Sequence, residues 1–73
     1  MWNYRVIKTE DGDSAYYAIH EVYYNEDGQI FGLTVDSSFP GGSTVEELKE
    51  DLKHYLLALD APIINKSEIV YAT

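Results

Sequence analysis

His20 and His54 are the only side chains that titrate near neutrality without perturbation, so acid–base or metal chemistry in this chain would start from them. Neither has a visible nucleophile to serve. Ser37, Ser38 and Ser43 fall in or near one loop, yet no Gly-x-Ser-x-Gly elbow surrounds them and neither histidine is placed by the sequence to act as their base. Glu50 precedes His54 by one helical turn and favours its protonated form, which is a surface effect rather than catalysis. No catalytic residue is expected, and the chain reads as a non-enzyme.

The carboxylates cluster in two turns, Glu10, Asp11, Asp13 and then Glu26, Asp27. A calcium loop needs oxygen ligands at alternating positions and a bidentate Glu at its twelfth, but Asp11 and Asp13 are followed by Ala15 and Tyr17. These charges read as solvated turns, with no metal site. Pro40-Gly41-Gly42-Ser43-Thr44 precedes a helix, where free backbone N–H groups can bind anions. The loop has no lysine, its glycine spacing is wrong for a nucleotide cradle, and Glu46 and Glu47 already supply negative charge there. No cofactor is expected. Seven tyrosines could stack on bases, but only five Lys and Arg are available to meet a phosphate backbone. Packing is the better use for them.

The elements that hold these residues follow from periodicity. Trp2 to Lys8 alternates Trp2, Tyr4 and Val6 against Asn3, Arg5 and Ile7, and predicts a strand. The turn formers Glu10 to Ser14 connect it to a longer strand, Ala15 to Tyr24, which carries large side chains on both faces and implies a sheet covered at least partly on both sides. Asp27-Gly28 marks a second hairpin leading into a strand over Gln29 to Asp36, with Phe31, Leu33 and Val35 on one face. Pro40 and Gly41 then break the sheet. Thr44 with Glu47, or Ser43 with Glu46, offers a capping box that starts a helix near residue 44. Val45, Leu48, Leu52, Tyr55, Leu56 and Leu59 form its apolar stripe, the face expected to cover the sheet. Asp60-Ala61-Pro62 ends it, and Ser67 to Tyr71 is expected to be a fourth strand.

The expected fold is α+β, a two-layer β-β-β-α-β domain in which an antiparallel meander is packed by one helix. Residues 1 to 73 suffice for one domain. The net charge of −8 disfavours nucleic acid and anionic lipid as partners. Without cysteine there is no thiol nucleophile, disulfide or usual structural zinc site, in keeping with a reducing compartment. No apolar run approaches a membrane span and no signal pattern opens the chain, so a cytoplasmic, non-membrane protein is expected. So small a core also favours self-association, a dimer first.

The meander, the loop Phe39-Pro40-Gly41-Gly42-Ser43-Thr44 and the helix opening Thr44-Val45-Glu46-Glu47-Leu48 resemble the HicB-like antitoxin domain. YRVIK, YAIHEVYY, the Asp-Gly turn and LKEDL are similar to short bacterial HicB-like proteins of unassigned function. The resemblance spans most of residues 2 to 60, and the element order looks like the partial ribonuclease H fold of that family. It implies an acidic antitoxin that binds a small basic RNA-cleaving toxin and self-associates. Leu48 stands where the family usually has alanine. The family commonly adds a C-terminal DNA-binding segment, while this sequence stops at Thr73, so no direct nucleic-acid binding is expected. A ribonuclease H metal site includes a carboxylate on the first strand, and Trp2 to Lys8 holds none, which argues against a nuclease.

The candidate partner or self-association residues are Tyr16, Tyr24, Leu57, Glu26 and Asp27: aromatic anchors, acidic turn residues, and a leucine on the polar side of the helix. The alternative to toxin binding is a self-associating small domain with a regulatory or ligand-binding task and no toxin partner.

Overall fold

In the computed structural model, which describes residues 1–73, β1 (Trp2–Asp11), β2 (Ser14–Tyr24) and β3 (Ile30–Leu33) precede helix α1 (Val45–Asp60) and a short strand β4 (Ile64–Asn65). A single 3₁₀ turn, Lys66–Glu68, follows. The sheet order is β3-β2-β1-β4: β1, β2 and β3 are the antiparallel meander, while β4 runs parallel to β1 through Ile7–Ile64 and Lys8–Asn65. The α+β fold class stands, with a mixed sheet rather than a purely antiparallel one.

Glycines set the lengths of the hairpins. Gly12, at φ +61, takes the first central position of a two-residue turn, so the β1–β2 ladder continues to Asp11 and Ser14. The first strand therefore reaches Glu10 and Asp11, beyond the expected end at Lys8, and does carry carboxylates. In the second hairpin Gly28 sits at φ +79, and Asn25 Oδ1 accepts from the N–H groups of Asp27 (3.0 Å) and Gln29 (2.9 Å). A register shift between Tyr23 and Tyr24 then puts Ile30 opposite Tyr24 and Leu33 opposite Val22. This bulge overturns the expected face of Phe31, Leu33 and Val35: Leu33 lies beside Val22, Phe31 is half-exposed near Tyr23, and Val35 is exposed. Regular pairing stops at Leu33 instead of Asp36. Beyond it only Thr34 and Ser38 still donate to β2, to the carbonyls of Glu21 and Ile19.

The expected fourth strand over Ser67 to Tyr71 is replaced by β4 at Ile64–Asn65. Asn65 caps the 3₁₀ turn by accepting from the Ser67 N–H and hydroxyl, which turns the chain off the β1 edge. The chain then crosses to the far edge, where the Ala72 N–H donates to the Ile30 carbonyl on β3. This passage lies over the sheet face opposite α1, where Ile7 and Val22 are the most completely buried side chains. The sheet is thus covered on both sides, by a helix and by a strap of C-terminal chain.

Thr44 caps α1 by accepting from the Glu47 N–H (3.1 Å), and the Glu47 carboxylate accepts from the Ser43 N–H (2.7 Å). Of the two capping registers only Thr44 with Glu47 forms. The helix packs mainly over β1, and its orientation differs from the expected one. Tyr55 and Ala58 are its buried residues, with Leu48 and Asp51 half-buried, whereas Val45, Leu52, Leu56 and Leu59 remain exposed. The sheet therefore takes one margin of the apolar stripe, about 90° from the leucines at about 100° per residue.

Replacing Ile7 with Ala should lower unfolding free energy by about 2 to 5 kcal/mol. Thr44→Ala should lower it by about 1 kcal/mol through the lost cap. Urea unfolding followed by circular dichroism checks both, with Ile7→Ala expected to leave little folded protein in a domain this small.

Candidate protein-binding surface

Asp51 determines how the helix meets the sheet. Its Oδ1 accepts from the Tyr4 hydroxyl on β1 (3.1 Å) and its Oδ2 accepts from the Gly41 N–H in the preceding loop (3.0 Å). One carboxylate thereby joins strand, helix and loop. The Tyr4 ring lies 4.2 Å from that of Tyr55, and the Trp2 ring meets Tyr4 edge-on at 5.1 Å. Burial, together with Tyr55 and Asp51 beside it, holds the Tyr4 phenol well above its ordinary value of 10.0. Gly42 is needed for close approach, because a Cβ there would lie 2.6 Å from the Glu47 Cβ and 2.9 Å from the Leu48 amide nitrogen.

The aromatic line along β1 ends in a depression of about 410 Å³ at the part of β1 not paired with β4. Trp2, Asn3, Arg5, His54, Leu57 and Ala61 are among its lining residues. Leu57 keeps 64% of its surface exposed and Trp2 50%. The Tyr24 hydroxyl donates to Asn3 Oδ1 (2.8 Å), and the Tyr24 N–H donates to the Met1 carbonyl. The Asn25 to Gly28 turn, with Glu26 and Asp27 exposed, follows directly. Leu57 lines this depression with Trp2, whereas Tyr24, Glu26 and Asp27 occupy the same end of the sheet but do not line it, Tyr24 lying on the face opposite α1. Tyr16 does not join them. It pairs with Thr9 near the first hairpin turn and lines a separate groove of about 430 Å³ with Tyr17, Phe39 and Leu59.

Two contributors were not evident from the sequence. Trp2 read only as one member of an alternating strand, and Phe39 as loop. Both are large apolar side chains left substantially exposed, Phe39 at 82%. The nearest sequence signal was the width of the apolar helix stripe, broader than one strand of contact can bury.

Of the remaining polar groups, His20, Glu50 and Glu10 have structural partners, while the buried Arg5 Nε has none. His20 is buried with Nδ1 2.9 Å from the Thr34 carbonyl oxygen, which can only accept, so that nitrogen carries the proton. His54 is exposed. The Lys53 ammonium, 2.9 Å away, lowers the Glu50 carboxyl below its usual range, with a smaller contribution from His54. Glu10 is held by Lys8 at 3.7 Å and by the Asn65 amide at 3.4 Å. No group of three His, Cys, Asp or Glu is close enough to hold a metal ion. The concavity at the helix N-terminus is lined by Glu46, Glu47, Glu50 and Asp51, whose own carboxylates already take the Ser43 and Gly41 N–H groups. No helix is long and apolar enough to cross a membrane.

Comparisons with family models, curated proteins and solved structures return no match to this chain.

Raising the Tyr4 phenol value means that the folded state keeps this proton above about pH 10 while the unfolded chain releases it, so stability falls as pH rises through that region. Tyr4→Phe should cost about 1 kcal/mol at neutral pH, because the hydrogen bond to Asp51 is lost. It should also make the alkaline decline shallower. Urea titrations at neutral pH and just above the ordinary phenol value test both, and an unchanged alkaline slope in the variant would remove Tyr4 as its source.

Proposed function

We propose that this chain is a non-enzymatic, acidic, HicB-like protein-binding domain, antitoxin-like in action, which binds a small basic toxin and self-associates. The observation that carries the reading is the exposed pair Trp2 and Leu57 around one depression, at the same end of the sheet as the turn that holds Glu26 and Asp27. An exposed aromatic and a leucine around a depression are suited to anchoring a partner side chain, and carboxylates at the same end of the sheet suit a basic surface. The net charge of −8 supports fast encounter with a cationic protein through complementary fields. The element order β-β-β-α-β supports the partial ribonuclease H-like assignment. On this reading no step of chemistry is performed by the chain itself. It acts in the cytoplasm by covering its partner.

The second reading is a self-associating domain with a regulatory or ligand-binding task and no toxin partner. It is favoured by the exposed leucines of α1, which lie on a different side of the helix from Leu57.

The test is co-purification with a small basic RNA-cleaving protein encoded beside its gene, followed by an RNA-cleavage assay. A stoichiometric complex with cleavage abolished is expected. Leu57→Asp should weaken that complex at least about tenfold while shifting unfolding free energy by no more than about 0.5 kcal/mol, since the site is exposed. Replacing Glu26 and Asp27 with Lys should slow association and make it less salt-sensitive. Undiminished cleavage in the presence of excess protein would rule out the antitoxin-like role.

A further inference from the structure

Val45, Leu52, Leu56 and Leu59 form a leucine-rich stripe on α1 that the sheet does not use; three of the four keep more than half of their surface exposed. The stripe continues at Leu59 into the groove with Tyr17 and Phe39. The chain as a whole exposes 5482 Å². That is about 900 Å² more than the roughly 4,600 Å² that size scaling gives for a compact monomer of 8.3 kDa. A standard stable interface removes about 800 Å² from each partner, which is close to this excess.

We infer that α1 docks against α1 of a second copy of this chain, antiparallel across a twofold axis near Leu52. This contact deepens the self-association part of the proposal above and rests on it. In that register Leu52 meets Leu52 of the partner subunit and Val45 meets Leu59 of the partner subunit, so one stripe is complementary to itself, as an isologous contact requires.

Charge supports the antiparallel choice. Asp60 is the last helical residue, at the end of the helix dipole where a carboxylate is unfavourable, and the last turn of α1 contains no basic residue. Asp60 and Lys49 form no ion pair within the chain, whose salt bridges are Lys8 with Glu10 and Lys53 with Glu50. Both lie on the same flank of the stripe, within about 70° of its centre. Side chains lean toward the N-terminus of their own helix, so antiparallel packing turns Lys49 and Asp60 of the partner subunit toward each other. The twofold axis makes this pair twice. Antiparallel packing also brings the positive N-terminal end of one helix beside the negative C-terminal end of the other. A parallel pair would put Lys49 and Asp60 of the partner subunit on opposite flanks and about eleven residues apart along the axis, so this pair could not form.

Native mass by light scattering over a dilution series, on the full chain, tests the contact. The unsubstituted protein should be a dimer, and Leu56→Asp should raise the dissociation constant at least about a hundredfold while circular dichroism shows an intact fold. Lys49→Glu and Asp60→Lys should each weaken the dimer about tenfold by opposing like charges, and the doubly substituted chain should recover most of that loss. Asp60→Lys also separates docking from folding: below the dimer's dissociation constant its monomer should melt higher than the unsubstituted one, because a cation suits that helix end. A dimer unaffected by Leu56→Asp overturns this contact while leaving self-association in place. A monomer at every concentration overturns both this contact and the self-association reading, and leaves toxin binding to be decided by its own assay.

Discussion

The rotation of α1 about its axis is the constraint on which the remaining surfaces depend, and Asp51 is the residue that holds it. A carboxylate accepting from the Tyr4 hydroxyl and the Gly41 N–H has to face the sheet and the loop together. A helix anchored this way buries Tyr55 and Ala58 beneath it, and the small Ala58 side chain permits close approach. The leucines are then turned sideways. Hydrophobic burial alone would centre the apolar stripe on the sheet; the observed rotation instead gives the half-buried Asp51 carboxylate two donors and leaves the leucines exposed.

The opposite face of the sheet is closed by a different device. The meander supplies Ile7, Val22 and Leu33, and the chain after β4 supplies the cover by crossing to β3, where Ala72 donates to Ile30. A domain of this size has few fully buried side chains, so the strap and the helix divide the work of keeping water from a single sheet. Buried His20 fits this scheme. Its proton satisfies the Thr34 carbonyl just where regular β3 pairing has ended, and its role is to complete the sheet edge.

With both faces partly covered, the apolar surface that remains is divided between two sides of α1. Leu57 and Trp2 flank one side, and the Val45 to Leu59 stripe lies on the other. Two separate contacts can therefore coexist on one small chain. The first lies at the end of the sheet that also carries the acidic turn of Glu26 and Asp27. The second has an antiparallel charge pattern suited to another copy. An antitoxin-like domain that both dimerises and covers a partner would need such a separation, because a single patch could not serve both at once.

The hairpins, the helix and its cap were legible in the sequence because local chemistry specifies them: Gly12 and Gly28 accept positive φ, Thr44 caps, and alternating side chains mark the strands. The gathering of Tyr24 with Glu26 and Asp27 was also local, since they are neighbours along one turn. Leu57 stood out as an apolar residue on the polar side. What could not be read were the long-range choices. The parallel seat of β4 beside Ile7, the bulge that displaces Phe31, and the separation of Tyr16 from the other candidates all depend on partners distant along the chain. By itself the sequence determined the three meander strands and the helix, because those rest on interactions a few residues apart, but not β4, which took the place of the strand expected over Ser67 to Tyr71. Only the tertiary structure decided which faces of those segments are buried, because a hydrogen bond such as Tyr4 to Asp51 joins residues whose approach no local periodicity encodes.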